Sequence, residues 1–411
     1  MMPVIALYRQ AFSNLQKNIW MLSIAMFINR SGSMVLLFAS LYLTNDLHFS
    51  ISDAGIIMSF LGAGSILGSY AGGWLTDRKN YHDIMMLSLT GSACILLLML
   101  LFTNAIAIAA IIFCYSFMAD MFRPANAAAI ASFTNAQNRT RSISLVRLAA
   151  NLGFTVGPAI GGMVALHLGY KWLFIIDSMT SLTAALMLWL YLPRQQAINT
   201  THNSTVLNDA GTSAYRDWKY LFFILLVALY GICFFQIIAT IPQFFSRQCH
   251  YSEDTIGWLL AINGLMVVLI EMPLITALQR QKNIFRFIIG GTLCIPVAFA
   301  MLLTGHCVLI WPVIYILILS LSEIFAMPFM MNHALSQPLK ERQGQYAALY
   351  SIAFGIALMT APPIGLGIAD HFGFDATFYS LSILSVAIAI GFAWLKKQLS
   401  HQPPRVQEGE S

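Results

Sequence analysis

Long apolar stretches recur along this chain, parted by short breaks that carry most of its charge. A run of about 20 apolar residues is long enough to cross a bilayer as a helix. Six such runs lie near 18–43, 52–76, 83–103, 105–132, 142–166 and 171–192. Six more lie near 218–245, 254–279, 284–304, 307–335, 345–369 and 373–396. Between the two sets stands PRQQAINTTHNSTVLNDAGTSAYRD (193–217), rich in Asn and Thr and without periodicity, which reads as a linker. The last residues, HQPPRVQEGES (401–411), are polar and are expected to form a disordered tail. The opening MMPVIALYRQAFSNLQKN is short and amphipathic, so the first apolar run is expected to be a span and not a cleaved signal.

The charges between the runs orient them. With the N-terminus inside the cell, seventeen basic residues fall on the cytoplasmic side: Arg9, Lys17, Arg78, Lys79, Arg139, Arg141, Arg194, Arg216, Lys219, Arg280, Lys282, Arg286, Lys340, Arg342, Lys396, Lys397 and Arg405. Only Lys171 and Arg247 fall outside. Cytoplasmic loops carry an excess of Lys and Arg, so both termini are expected in the cytoplasm, with an even number of spans. The N-x-T triplets at Asn138, Asn199 and Asn203 then lie inside and are read as chance matches.

Composition agrees with the pattern. Of 411 residues, 58% are hydrophobic and 9% are charged, and the mean hydropathy is +0.72. Soluble domains carry about 25% charged residues. The net charge of +5 is spread thinly through the loops, with no basic patch, so no nucleic-acid partner is expected. The cysteines (Cys94, Cys114, Cys233, Cys249, Cys294 and Cys307) form no metal-binding pattern. Four lie in apolar runs. Cys249 and Cys307 lie near outer loops, and the sequence leaves their pairing open, with unpaired thiols the expectation. No cofactor or metal is expected.

The two sets of six are related. PAIGGMVALHLGYKWLF (158–174) overlies PPIGLGIADHFGFDATF (362–378) without a gap, matching at seven of 17 positions, at an offset of 204 residues. The same offset carries Pro124 onto Pro328. The expected fold is all-α, with twelve transmembrane helices in two pseudo-symmetric six-helix bundles. The first bundle covers 1–192 and the second 218–396, joined by a cytoplasmic linker over 193–217 and followed by a tail over 397–411. Parallel repeats of this kind are a transporter architecture, with substrate held near the midplane between the halves.

Several spans hold groups that lipid does not favour. An ionisable side chain near the bilayer centre costs at least about 2.5–3.5 kcal/mol on insertion scales, so it faces a cavity or a partner. Asp120 and Arg123 in span four share a helix face, and Pro124 leaves the Asp120 carbonyl free of its usual donor. Glu323 in span ten stands five residues before Pro328. Glu271 in span eight lies closer to the cytoplasmic end. Asp120, Glu323 and Glu271 are the candidates for coupling to protons, with Arg30, Arg123 and Arg147 as charge partners. Arg30 has no acid within its own span, so Asp120 or Glu323 is its expected partner. Asp177 lies in span six, nearer the outer side. Asn29, Asn126, Asn151, Tyr230, Gln236, Asn263 and Asn332 are candidates for the substrate cavity, although an isolated Asn more often joins two helices.

Small residues mark where helices approach closely. Span five contains Gly153, Gly157, Pro158, Gly161 and Gly162, and span two ends in GGWLTDRKNYHD (72–83). Here the chain resembles the major facilitator superfamily, in particular its twelve-span drug/proton antiporter branch. The G-x-x-x-G-P-x-x-G-G pattern of that branch is met in full. Its G-x-L-x-D-R-x-G-R loop is met at Gly73, Leu75, Asp77 and Arg78, while Asn80 and Tyr81 replace the later Gly and Arg. The resemblance implies alternating access driven by protons, export of small molecules, a latch at Asp77, a monomer, and the inner membrane of a bacterium. Many relatives carry an acid in span one where this chain has Arg30. That leaves room for an anionic or zwitterionic metabolite, such as an organic acid or a siderophore, moved in either direction. No nucleotide-binding loop occurs, which argues against an ATP-driven pump. A membrane-embedded enzyme is the remote alternative, because no catalytic cluster stands at one depth.

Overall fold

The computed structural model describes residues 15–135, 138–194, 214–271, 274, 283–304, 307–335 and 343–400. Most of the 193–217 linker, the tail 401–411, the opening residues 1–14 and the triplets at Asn199 and Asn203 lie outside the described residues. So do the cations Arg9, Arg280, Lys282, Lys340, Arg342 and Arg405.

The first half holds α1 (Lys17–Asp46), α2 (Ile51–Thr76), α3 (Tyr81–Leu100), α4 (Ala105–Ser132), α5 (Arg139–Leu168) and α6 (Lys171–Tyr191). The second holds α7 (Trp218–Arg247), α8 (Glu253–Glu271), α9 (Ile284–Thr304) and α10 (Ile310–Leu335), followed by a long run, Gln343–Ser400. Gly373, at φ 85°, divides that run into α11 (343–372) and α12 (374–400). Among the described residues, 11 helices are long and apolar enough to cross a membrane, and the break at Gly373 makes the last of them two. The chain is a multi-pass membrane protein with twelve crossings.

Polar residues at the breaks start the helices. The side chains of Ser50, Asn80, Asn104 and Asp217 each accept from a backbone N–H one turn inside the helix that follows. These contacts satisfy donors that helix geometry leaves orphaned. The repeat is also visible in the backbone. Gly169, after α5, has φ 92°, and Gly373, after α11, has φ 85°, at the 204-residue offset. A side chain at either position would be strained. In α1 the α-helix stops at Gly32 and resumes at Val35; in α7 it gives way to a 3₁₀ turn at Phe235–Ile237 and resumes at Thr240. These interruptions also stand about 204 residues apart. The prolines differ in effect: α4 breaks at Met121 just before Pro124, whereas α10 runs unbroken through Pro328.

The halves meet unequally at the two ends. The end that carries Arg78 and Lys79 is here termed the basic end. There, buried side chains of the first half, among them Leu22, Tyr81, Phe122, Val146 and Leu188, form a core confined to that half. At the opposite end, Phe38, Ile57 and Phe174 run without a gap into Phe234, Ile241 and Ile256 of the second half. Hydrogen bonds reinforce this seal. The Gln243 amide donates to the Ser40 carbonyl at 2.7 Å and to Thr44 Oγ1 at 2.8 Å, and Ser40 donates to the Ala239 carbonyl at 3.3 Å. The Tyr170 hydroxyl donates to Glu253 Oε1 at 2.7 Å while accepting from Asn45 at 3.2 Å.

One expectation is corrected here: Cys249 and Cys307 form a disulfide. The loop after α7 and the loop after α9 converge, and the Tyr251 hydroxyl donates to the Cys307 carbonyl at 2.5 Å. Two thiols separated by 58 residues carry no sign of this proximity in sequence. Intact protein is expected to yield two additional alkylated thiols only after reduction; in Cys249→Ser that gain disappears and Cys307 is alkylated without reduction, as mass spectrometry would read directly. Closing a loop of this length contributes up to about 4 kcal/mol by chain entropy. Reduction should therefore lower the unfolding temperature.

Candidate substrate and proton site

Several charged and polar residues of the inner spans line two adjoining cavities. The first, of about 130 Å³, lies mainly among helices of the first half, at Asn29, Arg30, Tyr115, Asp120, Arg123 and Ser181. The second, of about 260 Å³, lies between the halves and includes Arg123, Asn151, Phe154, Asn263 and Glu323. Leu36, Arg123, Phe154 and Leu358 line both. By their positions along the helices, both cavities lie nearer the basic end than the Ser40–Gln243 seal.

Helix geometry accounts for the ion pair that the sequence suggested. Three residues apart, Asp120 and Arg123 meet with Arg123 Nε at 3.2 Å from Asp120 Oδ1. The Arg123 side chain is 63% exposed, so the rest of its donors face the cavity. Glu323, on α10, accepts from Asn263 Nδ2 on α8 at 3.1 Å, and the same amide donates to Ser320 at 3.0 Å. Each of the two adjoining cavities thus holds one acid, Asp120 in the first and Glu323 in the second, each held by a neighbour on its own side.

Arg30 corrects a second expectation. It forms an ion pair with neither Asp120 nor Glu323; the first is held by Arg123 and the second by Asn263. Its guanidinium instead lies over the Phe154 ring of α5, 5.2 Å from the centroid. Arg147 finds a partner in the other half: it forms an ion pair with Glu271 at the basic end of α8, where α8 closes in a π-helical turn. Glu323 and Tyr350 also act on Arg147 electrostatically.

The remaining candidates divide. Asn29 donates to Ser181 of α6 at 3.1 Å on the cavity wall. Tyr230 is fully buried and shares a 3.0 Å hydrogen bond with Ser322. Gln236 is also buried, where it donates to the carbonyls of Ile232 and Ala361 across the break in α7. These two hold the second half together and line neither cavity. Asn126 is buried away from both, with an oxygen that finds no partner among the described residues. Asn332 is exposed on α10. Two residues are more central than the sequence suggested. Asp177 is 1% exposed, and Tyr115 approaches it from α4 while lining the first cavity. A lone acid in an apolar span was the only signal.

The span-five glycines serve two interfaces. A Cβ at Gly153 would meet the Arg30 Cβ at 2.6 Å, one at Gly157 the Ser31 carbonyl at 3.2 Å, and one at Gly161 the Met34 Cβ at 2.7 Å, all on α1. Gly162 faces the other way, onto the backbone of Glu253 and Asp254 at the start of α8. Gly73 has open space around it. Asp77 is exposed and has no ion pair among the described residues, while Arg78 stacks on Trp74 at 3.8 Å.

Two six-helix halves around a charged central cavity define a transporter. The model of the Major Facilitator Superfamily matches residues 22–357, and the chain belongs to that superfamily, whose members are transporters and not enzymes. It is 24% identical over 374 residues to the MFS-type transporter YttB of Bacillus subtilis (strain 168), covering 88% of this chain and 91% of that protein. It is 22% identical over 294 residues to Multidrug resistance protein 2 of the same organism, covering 68% and 70%. Its fold is similar to that of a POT family transporter in complex with 5-aminolevulinic acid, with a TM-score of 0.80 at 14% identity, covering 95% and 98% of the two chains. It is likewise similar to that of the nucleoside transporter NupG, with a TM-score of 0.73 at 16% identity, covering 93% and 100%. Secondary transport by alternating access follows from the superfamily.

Proposed function

We propose that the protein is a proton-coupled exporter of small molecules in the inner membrane of a bacterium, acting as a monomer with both termini and the basic end in the cytoplasm. The observation that carries this reading is that the Asp120–Arg123 pair and Glu323 line two adjoining cavities that share Arg123. A carboxylate beside a guanidinium or an amide holds its proton differently once those neighbours move or water leaves. Rocking of the halves would therefore load and release a proton at one of these acids. The likeness to Multidrug resistance protein 2 supports export.

Everted vesicles test it. After energisation, a panel of cationic, neutral and anionic compounds is added and lumenal pH is followed with a fluorescent dye. At least one compound should collapse the gradient with the wild type, and Asp120→Asn or Glu323→Gln should reduce that response at least tenfold. If no compound moves protons, or if both variants match the wild type, the proposal fails. A second reading, transport of an anionic or zwitterionic metabolite, is favoured by one feature: Arg30 has no carboxylate within ion-pair distance among the described residues.

A further inference from the structure

We infer that the Arg30 cavity is an anion subsite, and that the transported molecule is an organic anion whose charged group docks on Arg30 while its apolar body occupies the space between the halves. The inference deepens the export reading and rests on it only for the direction of movement.

Three observations carry it. First, Arg30 lies deep in α1 and no carboxylate stands within 4 Å of it among the described residues. The charged groups acting on it are Asp120 and Arg123 of α4 and Asp177 of α6, with Tyr115 of α4 beside them. Both acids have other contacts: Asp120 pairs with Arg123 Nε, and Asp177 faces Tyr115. A guanidinium inside a membrane protein without a bonded anion is costly, and an anionic ligand relieves that cost.

Second, the Arg30 guanidinium carbon lies over the Phe154 ring, 5.2 Å from its centroid. A guanidinium whose neighbour is an aromatic ring and not a carboxylate keeps N–H donors for a ligand, and a carboxylate or a phosphonate can take them through two parallel hydrogen bonds. The wall of the same cavity adds the hydrogen-bonding groups of Asn29, Ser33, Ser92 and Ser181, beside the Asp120–Arg123 pair, whose acid is already held by its arginine.

Third, this polar cavity continues past Arg123 and Phe154 into the 260 Å³ space lined by Phe234, Phe235, Ile237 and Leu260. A charged head in one cavity and an aromatic or aliphatic body in the other fit a compact amphipathic anion. Such a division, apolar walls with a few placed polar groups, is how small-molecule sites confer orientation.

Binding by purified protein in nanodiscs tests this without reference to protons or direction. Phenyl carboxylates from benzoate to 4-phenylbutyrate are compared with the matched amines and alcohols by thermal unfolding. At least one carboxylate should stabilise the wild type saturably, with the matched amine and alcohol weaker by tenfold or more. Arg30→Gln should remove that difference, and Arg30→Lys should retain part of it by keeping the charge without the fork. The inference is overturned if no carboxylate stabilises the wild type, if the amine does so equally well, or if Arg30→Gln binds as tightly as the wild type. Should Arg30→Gln not fold, the wild-type comparison and Arg30→Lys still decide. A positive result here with no proton movement in vesicles would sink the coupling and leave the anion site.

Discussion

Gly162→Val is expected to break the seal opposite the basic end and to abolish transport, with at least a tenfold loss. A Cβ at Gly162 runs into the Glu253 carbonyl and comes within 2.9 Å of the Asp254 Cα, while Gly257 of α8 faces the Pro158 carbonyl and Gly162 itself. Backbone meets backbone at this crossing, so no side chain can swing aside. Overpacking a tight contact costs about 1–3 kcal/mol even where side chains can adjust. The cheapest response is for α5 and α8 to part, which loosens the Tyr170–Glu253 hydrogen bond and the Ser40–Gln243 contacts beside it. A cysteine at Ser40, buried in the parent protein, should become reactive to an impermeant maleimide in the Gly162→Val background. Gly73→Ala is the control: open space surrounds that position, so packing should be unchanged. Equal reactivity of the Ser40 reporter in both backgrounds would show that the α5–α8 contact does not hold the seal.

The glycine pattern illustrates what the sequence makes legible. Close helix approach requires small residues, and that requirement is written in residue type, so span five could be recognised before any contact was known. The 204-residue repeat was legible for the same reason, since Gly169 and Gly373 both adopt a backbone that disfavours side chains. The Asp120–Arg123 pair followed from helical spacing alone. Helix rotation was not legible. Spans that are apolar nearly all round give no stripe from which to tell the inward face. Thus Tyr230 and Gln236 read as cavity residues although they point into the packed second half, while nothing in residue type or spacing marks Tyr115 as the neighbour of Asp177. Contacts between distant segments were also hidden, which is why the Cys249–Cys307 disulfide and the placement of Arg30 over Phe154 emerge only in three dimensions.

Charge reversal at either end of the Arg147–Glu271 pair is expected to disable the protein, and the double exchange is expected to restore it. The pair joins α5 of the first half to α8 of the second at the basic end, where the two hydrophobic cores are otherwise separate. Glu271 is 6% exposed at its side chain, so it depends on Arg147 for compensation; Arg147 is 42% exposed and can still reach water. Breaking a fully buried pair costs about 3–5 kcal/mol, and the half-exposed arginine reduces this to about 1–2 kcal/mol. Glu271→Arg and Arg147→Glu should each lower the unfolding temperature, because either one leaves a buried, uncompensated charge at position 271. Arg147→Glu/Glu271→Arg should recover most of the loss if the two side chains act as a pair. Glu323 sharpens the expectation, because it acts on the same arginine from α10. Removing its charge with Glu323→Gln leaves Arg147 with one anion in place of two competing ones, which should tighten the hold of α5 on α8. In the Glu323→Gln background, Glu271→Gln should therefore destabilise more than it does in the wild type. A double-mutant cycle on unfolding free energy reads that difference, and strict additivity would show that Arg147 does not divide its charge between the two acids.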